Sequence, residues 1–124
     1  MQLLRDIKEY LVANGITDKI TLDAIGEEPD KAMVLYTYDS GLFGSQIAGH
    51  TSYVQIVARA KSSTDAYNLA LSAMNSLIVE DEIVQLTPTR WAKVSVAQTP
   101  LKIKVDDAGR LYYGFNVSFI TSTN

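Results

Sequence analysis

Leu3, Leu4, Ile7, Tyr10 and Leu11 recur at three- and four-residue steps with Arg5, Asp6, Lys8 and Glu9 between them. That period is the mark of an amphipathic helix with one buried stripe. Gly15 follows as a left-handed cap, and Ile16 is placed for the apolar contact that often accompanies such an ending. Further on the period changes. KITLDAI (Lys19 to Ile25) and AMVLYTY (Ala32 to Tyr38) read as strands, and Gly26, Pro29 and Asp30 between them are turn formers, so the pair predicts a hairpin. The second run is apolar at almost every place, as in a strand covered on both faces. From Thr51 to Lys61, Val54, Ile56, Ala58 and Ala60 alternate with Tyr53, Gln55, Val57 and Arg59, the pattern of a strand covered mainly on one face.

The beat turns helical again after Ser62-Ser63-Thr64. Ser62 with Asp65 three places on forms a capping-box-like start, and the helix runs to about Ile78. A short strand is expected at Ile83 to Leu86. Trp91 to Gln98 and Leu101 to Val105 also read as strand, interrupted at Thr99-Pro100, where proline removes a ladder donor. Asp106-Asp107-Ala108-Gly109 makes a type I turn into a last strand that places Leu111, Tyr113, Phe115, Val117 and Phe119 on one face. The expected fold is a single α+β domain over 1–124. It has a mixed, mainly antiparallel sheet of about five strands with two helices packed on it, in the order αβββαβββ.

The second helix is the unusual element. Ala66, Leu69, Ala70, Ala73, Met74 and Leu77, with Tyr67, Leu71 and Ile78 beside them, form an arc of about 200°, wider than one sheet contact needs. The alanines let the helix lie close on the sheet; Tyr67, Leu71 and Ile78 need a further partner, either the first helix or another protomer. The remaining strip, Asp65, Asn68, Ser72, Asn75 and Ser76, bears one charge where a solvated face normally carries Lys and Glu. Between the second and third strands, DSGLFGSQIAGH (Asp39 to His50) has three glycines and no period, yet carries Leu42, Phe43 and Ile47. These three either tuck onto the core or order against a neighbouring subunit. The candidate subunit-interface residues are therefore Leu42, Phe43 and Ile47 in the loop, and Tyr67, Asn68, Ser72 and Asn75 on the helix.

Composition narrows the chemistry. Charged residues make up 20% of the chain, and Ser and Thr supply much of its polarity. There is no cysteine and one histidine, His50, so thiolate and poly-histidine metal sites are excluded, leaving only carboxylate-bound cations at Glu27-Glu28 or Glu80-Asp81-Glu82. The net charge of −3 and the scattered basic residues argue against nucleic-acid binding. No phosphate loop or nucleophile elbow occurs, and a lone loop histidine makes a poor catalyst. No catalytic residue, cofactor or metal is expected. The charges at Arg5, Asp6, Lys8 and Glu9 break any signal-peptide core, and no apolar run reaches membrane-spanning length, which predicts a cytosolic product with no membrane partner.

KEYLVANGI, EEPDKAMVLYTYDSG and VQIVARAKSSTDAYNLALSAMNSLI, in that order and spacing, resemble the phage minor capsid family whose members act as tail terminator or tail-completion proteins of long-tailed phages. The likeness runs from about Tyr10 to Ile78 and more loosely through the C-terminal strands. It implies a non-enzymatic virion protein, assembled in the bacterial host cytoplasm, that forms a homo-hexameric ring on the end of the tail tube. Such a ring stops tube polymerisation and joins the tube to the head connector, with DNA passing through unread. The interface residues above come from periodicity alone and not from the family. Two readings of other classes compete: a small partner-binding or accessory module using the same loop, and an enzyme with a carboxylate metal site.

Overall fold

The computed structural model describes residues 2–38, 50–79, 81–96 and 98–121. Its elements are α1 (Gln2–Ala13), β1 (Lys19–Leu22), β2 (Ala32–Tyr38), β3 (His50–Ala60), α2 (Ser63–Leu77), β4 (Ile83–Thr87), β5 (Arg90–Val96), β6 (Leu101–Val105) and β7 (Leu111–Thr121). One seven-stranded sheet runs β1-β2-β3-β7-β5-β4, with β6 also paired to β7. The α+β class is as expected, but the sheet has seven strands rather than about five, in the order αβββαββββ. The extra strand in that order comes from the interrupted run after Trp91. Its halves are separate strands, β5 and β6, laid end to end along one edge of β7: Val96 pairs Val117, and Leu101 pairs Gly114.

The predicted hairpin is a second correction. β1 and β2 pair in parallel, Lys19 opposite Ala32 and Leu22 opposite Leu35. The turn formers between them do not reverse the chain into an antiparallel partner. They carry it back along the sheet, starting at Asp23, whose φ of 66° is left-handed and whose N–H donates to Leu35 O at 2.8 Å. All other ladders are antiparallel.

Both helices cover one face of the sheet. α2 lies on the central strands β3 and β7, while α1 touches β1 and β2 at one end of the strand order and β4 at the other. The sheet therefore curls around α1 as a half-barrel. Leu4, Ile7 and Leu11 fill its hollow with Met33, Leu35, Ile56 and Phe119, all fully buried. Ala66, Ala70 and Ala73 have no exposed surface, so α2 sits close on β3 and β7. Its start is the expected one: Ser62 accepts from the Asp65 N–H at 3.1 Å. At the end of α1, Gly15 is left-handed at φ 103° and Ile16 donates back to Leu11 O.

Asp6 departs from its expected polar face. It is 3% exposed, takes Arg90 of β5 at 2.7 Å and accepts from Gln2, so it pins α1 to the β4–β5 hairpin. The opposite sheet face carries a smaller cluster of Val34, Val57 and Tyr112 with Ile25 and Tyr36 packed against it.

Candidate assembly surfaces

The exposed strip of α2 is where the helical period placed it. Asn68, Ser72 and Asn75 face outward, flanked by exposed Asp65 and Ile78 and half-buried Leu71. Asn68 and Ser72 also form one wall of a polar cleft of about 260 Å³ whose far side includes Asn14, Asp18 and Lys31. Tyr67 is half-buried. Its ring meets Tyr113 of β7 edge-on, with centroids 5.9 Å apart, so part of the second apolar edge of α2 is satisfied within the monomer. The first helix also reaches α2, where the Tyr10 hydroxyl donates to Ser76 O at 2.7 Å. Burial raises the Tyr10 pKa and keeps that donor protonated. Leu42, Phe43 and Ile47 lie outside the described residues.

Two further surfaces were not singled out from the sequence. On the face away from the helices, Trp91 and Gln85 are cross-strand partners, and Ile83, Lys93 and Ile120 form the next rung across β4, β5 and β7. Trp91 is 54% exposed. The period-two pattern held this information: Ala92 and Val94 are buried, which puts Trp91, Lys93 and Ser95 outside. The second surface is β6, exposed at every residue, with Leu101, Ile103 and Val105 all open to solvent. A bulge at Ile103 between Lys102 and Lys104 breaks the alternation that would have given β6 a buried face.

Behind these surfaces, two buried arginines shape the segment between β1 and β2. Arg59 of β3 is 1% exposed and donates to Gly26 O at 2.7 Å, Pro29 O at 2.6 Å and Asp30 O at 3.0 Å. Its guanidinium also lies 5.9 Å from the Tyr112 ring centroid. Arg110 donates to Glu27 O at 2.6 Å and pairs with Asp106 at 2.8 Å. Burial alone would push the Asp106 carboxyl up. The Arg110 N–H, the Tyr112 hydroxyl and the Arg110 guanidinium outweigh it and hold the group at about 2. These groups satisfy one another and leave no reactive pair. Neither clamp was legible from residue patterns, because partners some thirty and eighty residues apart meet only in the folded chain.

Among the described residues, no three or more His, Cys, Asp or Glu side chains gather where they could hold a metal ion. What remains is a small domain with uncharged and apolar surfaces on several sides. The bacteriophage tail terminator protein family matches residues 10–123. The chain belongs to that family. It is thereby a structural virion protein and not an enzyme, and the carboxylate-metal reading is set aside. The fold of this tail terminator family member also occurs in a chain of a solved structure described as the virion of a native gene transfer agent particle. The two superpose with a TM-score of 0.64 at 13% identity, covering 97% of this chain and 94% of the other. At that identity the likeness establishes a shared fold. No curated protein sequence matches the chain. No helix among the described residues is long and apolar enough to cross a membrane.

Proposed function

We propose that the protein closes into a homo-hexameric ring on the end of the phage tail tube, stops the tube's polymerisation and joins it to the head connector. The observation that carries this reading is the outer strip of α2. Asn68, Ser72 and Asn75 are exposed yet uncharged, in a member of the tail terminator family. A helix face that meets only water has no reason to avoid Lys and Glu, whereas the core of a subunit interface does. A ring needs a heterologous contact, in which two different patches of one protomer meet their complements on its neighbours. The strip with Tyr67 is one such patch, and the apolar loop bearing Leu42, Phe43 and Ile47 is another.

The partners are thus other copies of the chain, the tube protein and the head connector, within a virion assembled in the host cytoplasm. The net charge of −3 suits a channel that DNA crosses without being gripped, since bound phosphates would need a basic lining. The test is to add the purified protein to its phage's tube protein during polymerisation and measure tube length by electron microscopy. Tubes should stop short, with added density at one end. A length distribution unchanged by a molar excess would overturn the terminator role.

A further inference from the structure

Lys19, Ala32, Arg59, Tyr112 and Lys104 form one rung across β1, β2, β3, β7 and β6, so β1 and β6 are opposite flanks of the sheet at the same level. Each residue of β6 is exposed, and among the described residues its only ladder is with β7. Its outer edge therefore presents N–H and C=O groups for pairing. Lys102 stands opposite Tyr113, whose ring meets Tyr67 of α2, which puts Lys102 on the helix side of the sheet. Lys104 is on the other side, over the Tyr112 ring at 4.7 Å from its centroid. At the β1 flank, also on the helix side, lies the cleft between the end of α1 and α2. Asn14, Thr17 and Asp18 line one wall, and Asn68, Ser72 and Ser76 the other. The last turn of α1 has no basic residue, so the helix does not neutralise the negative end of its own dipole. Asp18 pairs with Lys31 at 3.8 Å with both side chains partly open to water, an arrangement that contributes little.

We propose that the outer strip of α2 receives strand β6 of a second copy of this chain, and that Lys102 of that copy enters the cleft beside Asp18; the assignment rests on the ring reading above. Three observations select this occupant. The first is charge. The end of α1 and the Asp18 carboxylate favour a cation, and Lys102 is a cation on a long stem, on the side of the sheet where the cleft lies. The second is hydrogen bonding. A strand edge offers donors and acceptors together, and Asn and Ser side chains both donate and accept. Asn68, Ser72 and Asn75, all on the open side of α2, match such an edge without burying a charge of their own, which accounts for a strip that is polar and uncharged. The Trp91 surface is apolar and on the face away from the helices, so it does not complement this cleft. The third is placement. Because β1 and β6 are opposite flanks at one rung, a copy set flank to flank is displaced sideways and not along the strands. The contact is head-to-tail with little rise, the kind that closes into a ring instead of a spiral.

The test exchanges the two charges in the full chain, with light scattering following the assembled mass and Trp91 fluorescence confirming that each variant is folded. Lys102→Glu sets two carboxylates together at every junction, and Asp18→Lys sets two ammonium groups together. Each variant alone should assemble about tenfold more weakly than the parent, or worse, because like charges across an interface repel. An equimolar mixture of the two should recover the parent mass, since copies that alternate around an even-numbered ring bring opposite charges together at every junction. A chain carrying both substitutions should recover it as well. Single variants that assemble as the parent does would overturn the pairing and leave the ring reading intact. So would a mixture and a doubly substituted chain that assemble no better than the single variants. A parent that stays monomeric at every concentration would overturn both.

Discussion

Replacing Arg59 with Met keeps most of the buried volume and removes the three charge-assisted hydrogen bonds by which this residue holds the segment between β1 and β2, while those of Arg110 remain. Three carbonyls, those of Gly26, Pro29 and Asp30, lose their donor. Hydrogen bonds to a charged group contribute about 1.5–3 kcal/mol each, which sets a ceiling of roughly 4.5–9 kcal/mol for the three. Two effects lower it. Gly26, Pro29 and Asp30 are exposed residues, so water reaches their carbonyls once the segment loosens. Methionine also removes the several kcal/mol that burying a guanidinium costs. The net loss expected is about 2–4 kcal/mol, a large share of the 5–15 kcal/mol typical of a domain. Urea unfolding followed by Trp91 fluorescence measures it as a lower midpoint with an unchanged slope. Hydrogen exchange should show the loss concentrated at residues 23–31, because only that segment depends on the clamp. A midpoint shift equivalent to less than about 0.5 kcal/mol, within the range of ordinary surface substitutions, would refute the reasoning. So would protection at 23–31 that matches the parent.

Gly114→Ala should destabilise by about 1–3 kcal/mol, because the new Cβ would stand 2.9 Å from Ile56 O and 2.7 Å from Ile103 Cδ1. Adding Ile103→Ala should rescue this only in part, since Ile56 O belongs to a strand paired on both sides; full rescue or no loss in urea melts would contradict the packing described. Asp106 bears on pH. Its folded pKa of about 2 lies below the ordinary 3.8, so its contribution is complete above about pH 4 and is lost as pH falls through 2. Asp106→Asn should therefore melt lower than the parent at pH 7, and the gap should close between pH 4 and pH 2; parallel melting curves across that range would count against it.

Local physics made most of the elements legible. Ser62 with Asp65, Gly15 with Ile16, and the alternation through Phe115, Val117 and Phe119 each fix an element from neighbours in sequence, and each is where its pattern placed it. The parallel β1–β2 pair was not legible. Gly26, Pro29 and Asp30 favour turning but do not specify what the chain turns back onto, and the clamps that decide it come from Arg59 and Arg110. Asp6 misled for the same reason, since its carboxylate is acceptable inside only because Arg90 arrives from a distant hairpin. The polar strip of α2 was readable because a helical period needs no tertiary knowledge. The open edge of β6 was not, because it depends on how far β4 extends along β5 and on the bulge at Ile103.

The central claim is that this chain assembles with itself through a head-to-tail contact. The most direct measurement is mass by light scattering on a sizing column, from micromolar to near-millimolar protein, for the parent and for Phe43→Asp. The account predicts a discrete assembly with the mass of a hexamer that the substitution dissolves into folded monomer. A parent that stays monomeric at every concentration would contradict it.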